Sequence, residues 1–140
     1  MIEGLIRYYP PFNPFLGEEM FTYNATVDQL SRYTHGVYDG DTIDMLIDVG
    51  FRMYSRQRIR VLGVNTPELR GEDKQEGQRF KQLTLDWIID GLTRSNEEFP
   101  LIVRTEKSDS FGRYLAEVIR KCDGQSLTQF LLEQGSPAYP

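Results

Sequence analysis

Cysteine and histidine are nearly absent from this 140-residue chain, with one of each. A lone Cys122 cannot form an intramolecular disulfide, which suits a reducing compartment. A lone His35 provides no histidine cluster for zinc, and a strand position is its default reading. Long hydrophobic runs are missing too. The apolar stretches are a few residues each, far short of the roughly 20 needed to span a bilayer. The N-terminal MIEGLIRYYPPFNPF places Glu3 and several prolines where a secretion signal needs basic and then apolar residues. A cytoplasmic location is the expectation. The chain also lacks a surplus of positive charge, its net charge being −5.

That deficit is uneven. Residues 1–51 hold eight acids and two bases, residues 52–121 hold fourteen bases and eleven acids, and residues 122–140 add two acids. Attraction to phosphate follows local clustering rather than the total, so the basic middle is compatible with a nucleic-acid partner. A hydrophobic content of 39% and a charged content of 26% fit a soluble globular protein with one core.

Residues 1–19 read as an irregular Pro-rich arm, because Pro10, Pro11 and Pro14 forbid a regular helix or central strand. Residues 20–140 read as one domain. Phe21 to Val37 has strand-like Thr, Val and Tyr with a bulge expected at Ser31–Thr34. Asp39-Gly40 turns into a second strand from Thr42 to Ile47, which Gly50 ends. Met53 to Val64 reads as a third strand, with Arg56, Arg58 and Arg60 on one face by the two-residue period. Phe80, Leu83, Trp87, Ile88 and Leu92 form an apolar stripe that predicts a helix over 74–92. Strands are expected over 101–106 and 114–121. Ser126 with Gln129 three residues on marks the start of a last helix that Gly135 stops. The order βββαββα predicts a mainly β protein with α, a five-stranded Greek-key barrel of the OB type with two helices.

Three segments carry chemistry: Asp39-Gly40-Asp41-Thr42, Arg60-Val61-Leu62-Gly63-Val64-Asn65-Thr66-Pro67-Glu68, and Asp109-Ser110-Phe111-Gly112-Arg113. Metal-assisted phosphodiester cleavage needs a hard cation held by oxygens, an activated water, and positive charge beside the phosphoryl oxygens. Asp41, Asn65 and Thr66 offer the oxygens. Glu68 can position or deprotonate a water. Arg60 and Arg113 offer planar forks to phosphate. Taken singly, each segment is an ordinary turn or strand face. The acidic run from Asp39 is not an EF-hand, since Asp44 stands at the sixth position where glycine is needed.

In this order and spacing, the three segments resemble the staphylococcal nuclease (thermonuclease) family, over about Phe21 to Gly135. The resemblance implies an OB-type barrel and a nuclease that cuts DNA or RNA, single strands best, with the 5′-oxygen as leaving group. It implies that Asp41 binds calcium, that Arg60 and Arg113 contact phosphate, and that Glu68 acts on the water. Asp39 and Asp109 match supporting acids, and Phe111 stands in place of a nucleotide-contacting tyrosine. The chain departs from the pattern at Asn65, where the best-known members have a metal-binding aspartate. An amide oxygen brings no charge, so a weaker calcium site, or a preference for magnesium or manganese, is expected. Ser110 replaces a lysine. Family members often continue past the region of Gly135 with a further helix and a base-packing tyrosine, part of whose role falls here to Tyr139. Arg58 and Phe111 complete the expected substrate contacts. The alternative is a non-catalytic barrel that holds single strands without cutting them.

Overall fold

The computed structural model describes residues 21–108 and 113–139. The expected arm at 1–19 lies outside them, as do Asp109, Ser110, Phe111 and Gly112.

Strands β1 (Phe21–Val27), β2 (Val37–Asp39), β3 (Thr42–Gly50) and β4 (Met53–Val61) lead into helix α1 (Lys74–Thr93). Strands β5 (Leu101–Ser108) and β6 (Tyr114–Arg120) follow, then helix α2 (Leu127–Glu133). Neighbouring strands run β1-β5-β6-β4-β3, and β3 returns to β1, closing a five-stranded barrel. Only β4 with β6 is parallel, in the register Arg60↔Leu115. This is the expected OB-type Greek-key architecture, mainly β with two helices. The short β2 pairs with β3 outside the closed ring.

Period-two alternation explains the closure. Ile43, Met45 and Ile47 of β3 and Ile59 and Val61 of β4 point inward with Val103 and Val118, and all are buried. The intervening Asp44, Arg56 and Arg58 face outward. α1 plugs the barrel with the stripe Gly77, Phe80, Thr84, Trp87, Ile88 and Gly91, each buried, at three- and four-residue spacing. Arg120 at the end of β6 locks that helix in place. Its guanidinium donates to the Trp87 carbonyl at 3.0 Å and to Asp123 at 2.9 Å, and lies over the Trp87 ring. The Ser126 hydroxyl caps α2 by accepting from the Gln129 amide, as its sequence position predicts.

β3 runs on to Gly50 and β5 to Ser108, past the expected Ile47 and residue 106, and two further boundaries differ from expectation. The first strand does not run through to Val37 with a bulge; it ends at Val27. Asp28 then stops it, its side chain accepting from the Leu30 amide and its carbonyl from the Ser31 amide, a local turn that outcompetes the ladder. A short 3-10 turn at Thr34–Gly36 follows before β2 starts. The third strand ends at Val61 rather than Val64, because Gly63 turns the chain at a φ of +87°.

Candidate active site

Helix α1 is the platform on which the first two chemical segments are set. The Thr84 hydroxyl donates to the Gly40 carbonyl at 2.7 Å, tying down the Asp39-Gly40-Asp41 turn. Gly40 lies so close to the helix that a Cβ there would meet the Thr66 side chain at 2.9 Å and Phe80 Cβ at 3.0 Å. Gly77, one turn nearer the helix start, fits flush against the backbone of Glu68. A Cβ on Gly77 would sit 2.0 Å from the Glu68 carbonyl oxygen. Glycine inside a helix costs about 1 kcal/mol against alanine, so contact with the Glu68 loop gives its presence a reason.

The Asp41 carboxylate, nearly buried, joins the segments. One oxygen accepts from the Thr66 amide at 2.9 Å and lies 3.2 Å from Arg60 Nη1. The other accepts from the Thr42 hydroxyl at 3.2 Å. Arg60 is fixed by more than this pair. Its Nη1 also donates to the Val61 carbonyl at 3.0 Å and the Val64 carbonyl at 2.9 Å, and its Nη2 reaches the Asn65 amide oxygen at 3.4 Å. The tail after α2 folds back beside it. Asn65 N–H donates to the Pro137 carbonyl at 2.9 Å and Tyr139 N–H to the Gly63 carbonyl at 3.0 Å, which sets the Tyr139 ring 5.7 Å from the Arg60 guanidinium carbon.

These residues line one cleft of about 990 Å³, with Asp39, Asp41, Arg58, Arg60, Asn65, Thr66, Glu68, Arg113 and Tyr139 all on its walls. Of the eleven site residues expected from sequence, those nine meet there; Phe111 and Asp109 lie outside the described residues. Glu68 is exposed to the cleft. Arg58 reaches the wall in a different condition from Arg60, with its guanidinium forked on Asp44 at 2.7 and 3.1 Å. Arg56 lies further down β4, paired with Asp28 at 3.2 Å.

The site's electrostatics suit a cation. Burial first, and then the neighbouring charge of Asp41, push the Asp39 carboxyl up to about 7. The Thr66 hydroxyl is buried with no hydrogen-bond partner among the described residues, against Gly40. Two adjacent carboxylates and an unsatisfied hydroxyl at a cleft wall form a donor set that a hard divalent ion fits. Among the described residues no three His, Cys, Asp or Glu side chains gather for a metal. Neutral oxygens of Asn65 and Thr66 would therefore have to complete the set.

Two residues of this region escape a motif reading. Tyr38 lines the cleft immediately before Asp39. Its only signal in the sequence was an aromatic at the edge of the acidic turn. Gly77 is legible as a glycine inside an otherwise helical pattern, which points to a close backbone approach.

No helix among the described residues is long and apolar enough to cross a membrane. In comparison with known proteins, the family model described as staphylococcal nuclease homologue matches residues 58–139. The span takes in Arg60, Asn65, Thr66, Glu68, Arg113 and Tyr139, and the Asp39–Asp41 turn precedes it. No curated protein matches the chain.

Proposed function

Since the chain belongs to the staphylococcal nuclease homologue family, we propose that it is a metal-dependent nuclease that hydrolyses phosphodiester bonds of DNA or RNA, single strands best, in the cytoplasm. The observation that carries this reading is the convergence of Asp41, Arg60, Glu68 and Arg113 on one cleft from three distant parts of the chain. A binding module has no need of an exposed carboxylate in the same cleft as two guanidinium groups.

In the proposed reaction, the scissile phosphate lies between Arg60 and Arg113, which donate to its non-bridging oxygens as charge builds on them. Arg60 is well suited to this, because its contacts with two backbone carbonyls and Asp41 fix its orientation before substrate arrives. Glu68 takes a proton from the attacking water as the new P–O bond forms. The P–O5′ bond breaks, and the departing 5′-oxygen is protonated to a hydroxyl, leaving a 3′-phosphate. Asp41, with Asp39 behind it and the oxygens of Asn65 and Thr66 alongside, would hold a divalent cation, calcium first and magnesium or manganese as alternatives. Such an ion, when bound, withdraws charge from the phosphoryl oxygens and lowers the pKa of a nearby water.

The test is cleavage of labelled single- and double-stranded DNA and RNA, with calcium, magnesium or manganese and with EDTA, by the wild type and by Glu68→Gln. Metal-dependent cutting that Glu68→Gln abolishes supports the reading. One observation favours the second reading, a non-catalytic single-strand binder: Asn65 removes a negative charge from the cation site. Retention of oligonucleotide with no cutting in any of the three ions would establish that alternative.

A further inference from the structure

Beside the cleft, Arg58, Tyr33 and Tyr38 form a rigid aromatic ledge. The Arg58 guanidinium carbon lies 5.6 Å from the Tyr33 ring centroid and 5.4 Å from that of Tyr38. The two rings meet edge to face at 5.0 Å. The assembly is anchored from below. Arg58 is forked on Asp44, its partner directly across β3. Asp44 also accepts from the Ser31 hydroxyl at 2.8 Å, and that hydroxyl accepts from the Tyr33 amide at 3.1 Å. The loop after β1 is thus folded onto the strand so that both tyrosines are held in place.

Two properties define what this ledge can bind. Its charge is cancelled, since the carboxylate of Asp44 faces the guanidinium, so it offers little attraction to a phosphate. What it presents is the half-exposed surface of two tyrosine rings set edge to face beside a guanidinium, aromatic surface against which a nucleobase packs with little regard to sequence. It is also continuous with the proposed reaction centre, because Tyr38 and Arg58 share the cleft wall with Arg60. Arg58 and Arg60 are two residues apart on one strand face, about 7 Å, the scale of one nucleotide step in an unstacked strand.

We propose that Tyr38, Arg58 and Tyr33 form a nucleobase-stacking subsite that holds a base of the substrate strand next to the scissile phosphate. The proposal rests on the nuclease reading and adds to it a grip on unpaired bases. A duplex keeps its bases stacked inward and cannot reach the ledge, which gives a physical origin for single-strand preference. In the adjoining depression lined by Tyr33, Asp28 and Glu97 are paired with Arg56 and Lys121, and Glu98 adds a negative charge that disfavours a phosphate backbone on the far side.

The test uses the full chain carrying Glu68→Gln, with calcium and fluorescein-labelled single-stranded DNA of two and of six nucleotides. Tyr38→Leu keeps apolar bulk without the flat ring, and Tyr38→Phe keeps the ring. Replacing Tyr38 by Leu should weaken binding of both lengths roughly tenfold, since a dinucleotide already spans the phosphate and the base beside it, and Tyr38→Phe should stay close to the parent. Hexamers with a single abasic position should show one position at which the Leu substitution no longer matters. Equal weakening at every abasic position, with none that cancels the effect, would overturn the subsite and leave Tyr38 a packing residue. Unchanged hexamer binding in Tyr38→Leu would do the same. If the parent binds neither length and wild type cuts neither, the nuclease reading itself fails and the subsite goes with it.

Discussion

Gly77 and Glu68 touch through their backbones: the space a Cβ would need on the helix residue is already filled by the carbonyl group of the acid. The contact is between main chains, so no rotamer change relieves it, and an alanine must push the Glu68 loop or the helix away. Gly77→Ala should therefore lower kcat about tenfold or more while the fold persists, since misplacement on the order of 1 Å is costly in catalysis. The same change in a Glu68→Gln background should add little. A full additional loss there would show that Gly77 acts on something other than Glu68. Gly91→Ala is the control. Its Cβ would meet side-chain carbons of Arg120 at 3.3 Å and Leu101 at 3.8 Å, neither of which lines the cleft, so any cost falls on stability and kcat should hold.

Arg60 is predicted to be irreplaceable by lysine. Its guanidinium serves two carbonyls and a carboxylate at once, a fork that an ammonium cannot copy. Arg60→Ala and Arg60→Lys should each lower turnover by roughly 10²–10³. Both should also cost about 1–3 kcal/mol of stability, from polar groups left without their partner. Steady-state kinetics with thermal melts reads both. Near-normal turnover in the lysine variant would remove Arg60 from the reaction.

Asn65 sets the expected metal demand. Its amide oxygen already lies 3.4 Å from Arg60, and it contributes no charge to the cation site. Asn65→Asp should shift the calcium dependence of activity to concentrations lower by about tenfold or more, because ligand charge tunes affinity over orders of magnitude. The titration should be run in calcium, magnesium and manganese. An identical demand in the variant and parent would show that position 65 is not a ligand.

The barrel was legible because its strands alternate: β3 buries Ile43, Met45 and Ile47, and the end of β4 buries Ile59 and Val61 on either side of Arg60. The site was legible because its polar residues sit in short segments whose spacing matches one chemistry, and nine of the expected residues share a wall. What the sequence concealed is tertiary. The loop from Asp28 to Gly36 has strand-like composition, but hydrogen bonds from Asp28 divert it, and no local signal says that Ser31 will reach Asp44 thirteen residues on. Arg56 and Arg58 looked equivalent to Arg60 on one face. All three pair with an acid, Asp28, Asp44 and Asp41 in turn, but of the three Arg60 alone also donates to the backbone carbonyls of Val61 and Val64 beside the cleft. Tyr38 reaches the cleft wall on β2 beside Asp39, and the folded loop sets Tyr33 against it.

Stability against pH follows from three carboxyls, and their signs differ. For Asp44, burial pushes the pKa up, yet hydrogen bonds from Arg58 and Ser31 outweigh it and hold the group low. Hydrogen bonds from Arg120 hold Asp123 low. A depressed carboxyl contributes stability above its unfolded value of 3.8 that is lost as pH falls through the folded value. Asp39 works in the opposite direction. Its folded value of about 7 exceeds the unfolded 3.8, so the native state holds an extra proton in that window and loses stability as pH rises through it. In EDTA the protein should therefore melt highest near about pH 5 and lower at both pH 3 and pH 8. Asp39→Asn retains an acceptor for the Asp41 amide, now at 3.1 Å, and carries no charge. It should flatten the decline between about pH 5 and 8, leave the acid limb in place, and raise the melting temperature at pH 8 by several degrees. Calcium should raise the wild-type melt at pH 8 as well, because a bound cation relieves the same repulsion. Parallel melting curves for the two proteins across the whole range would mean that neither burial nor Asp41 raises the Asp39 carboxyl.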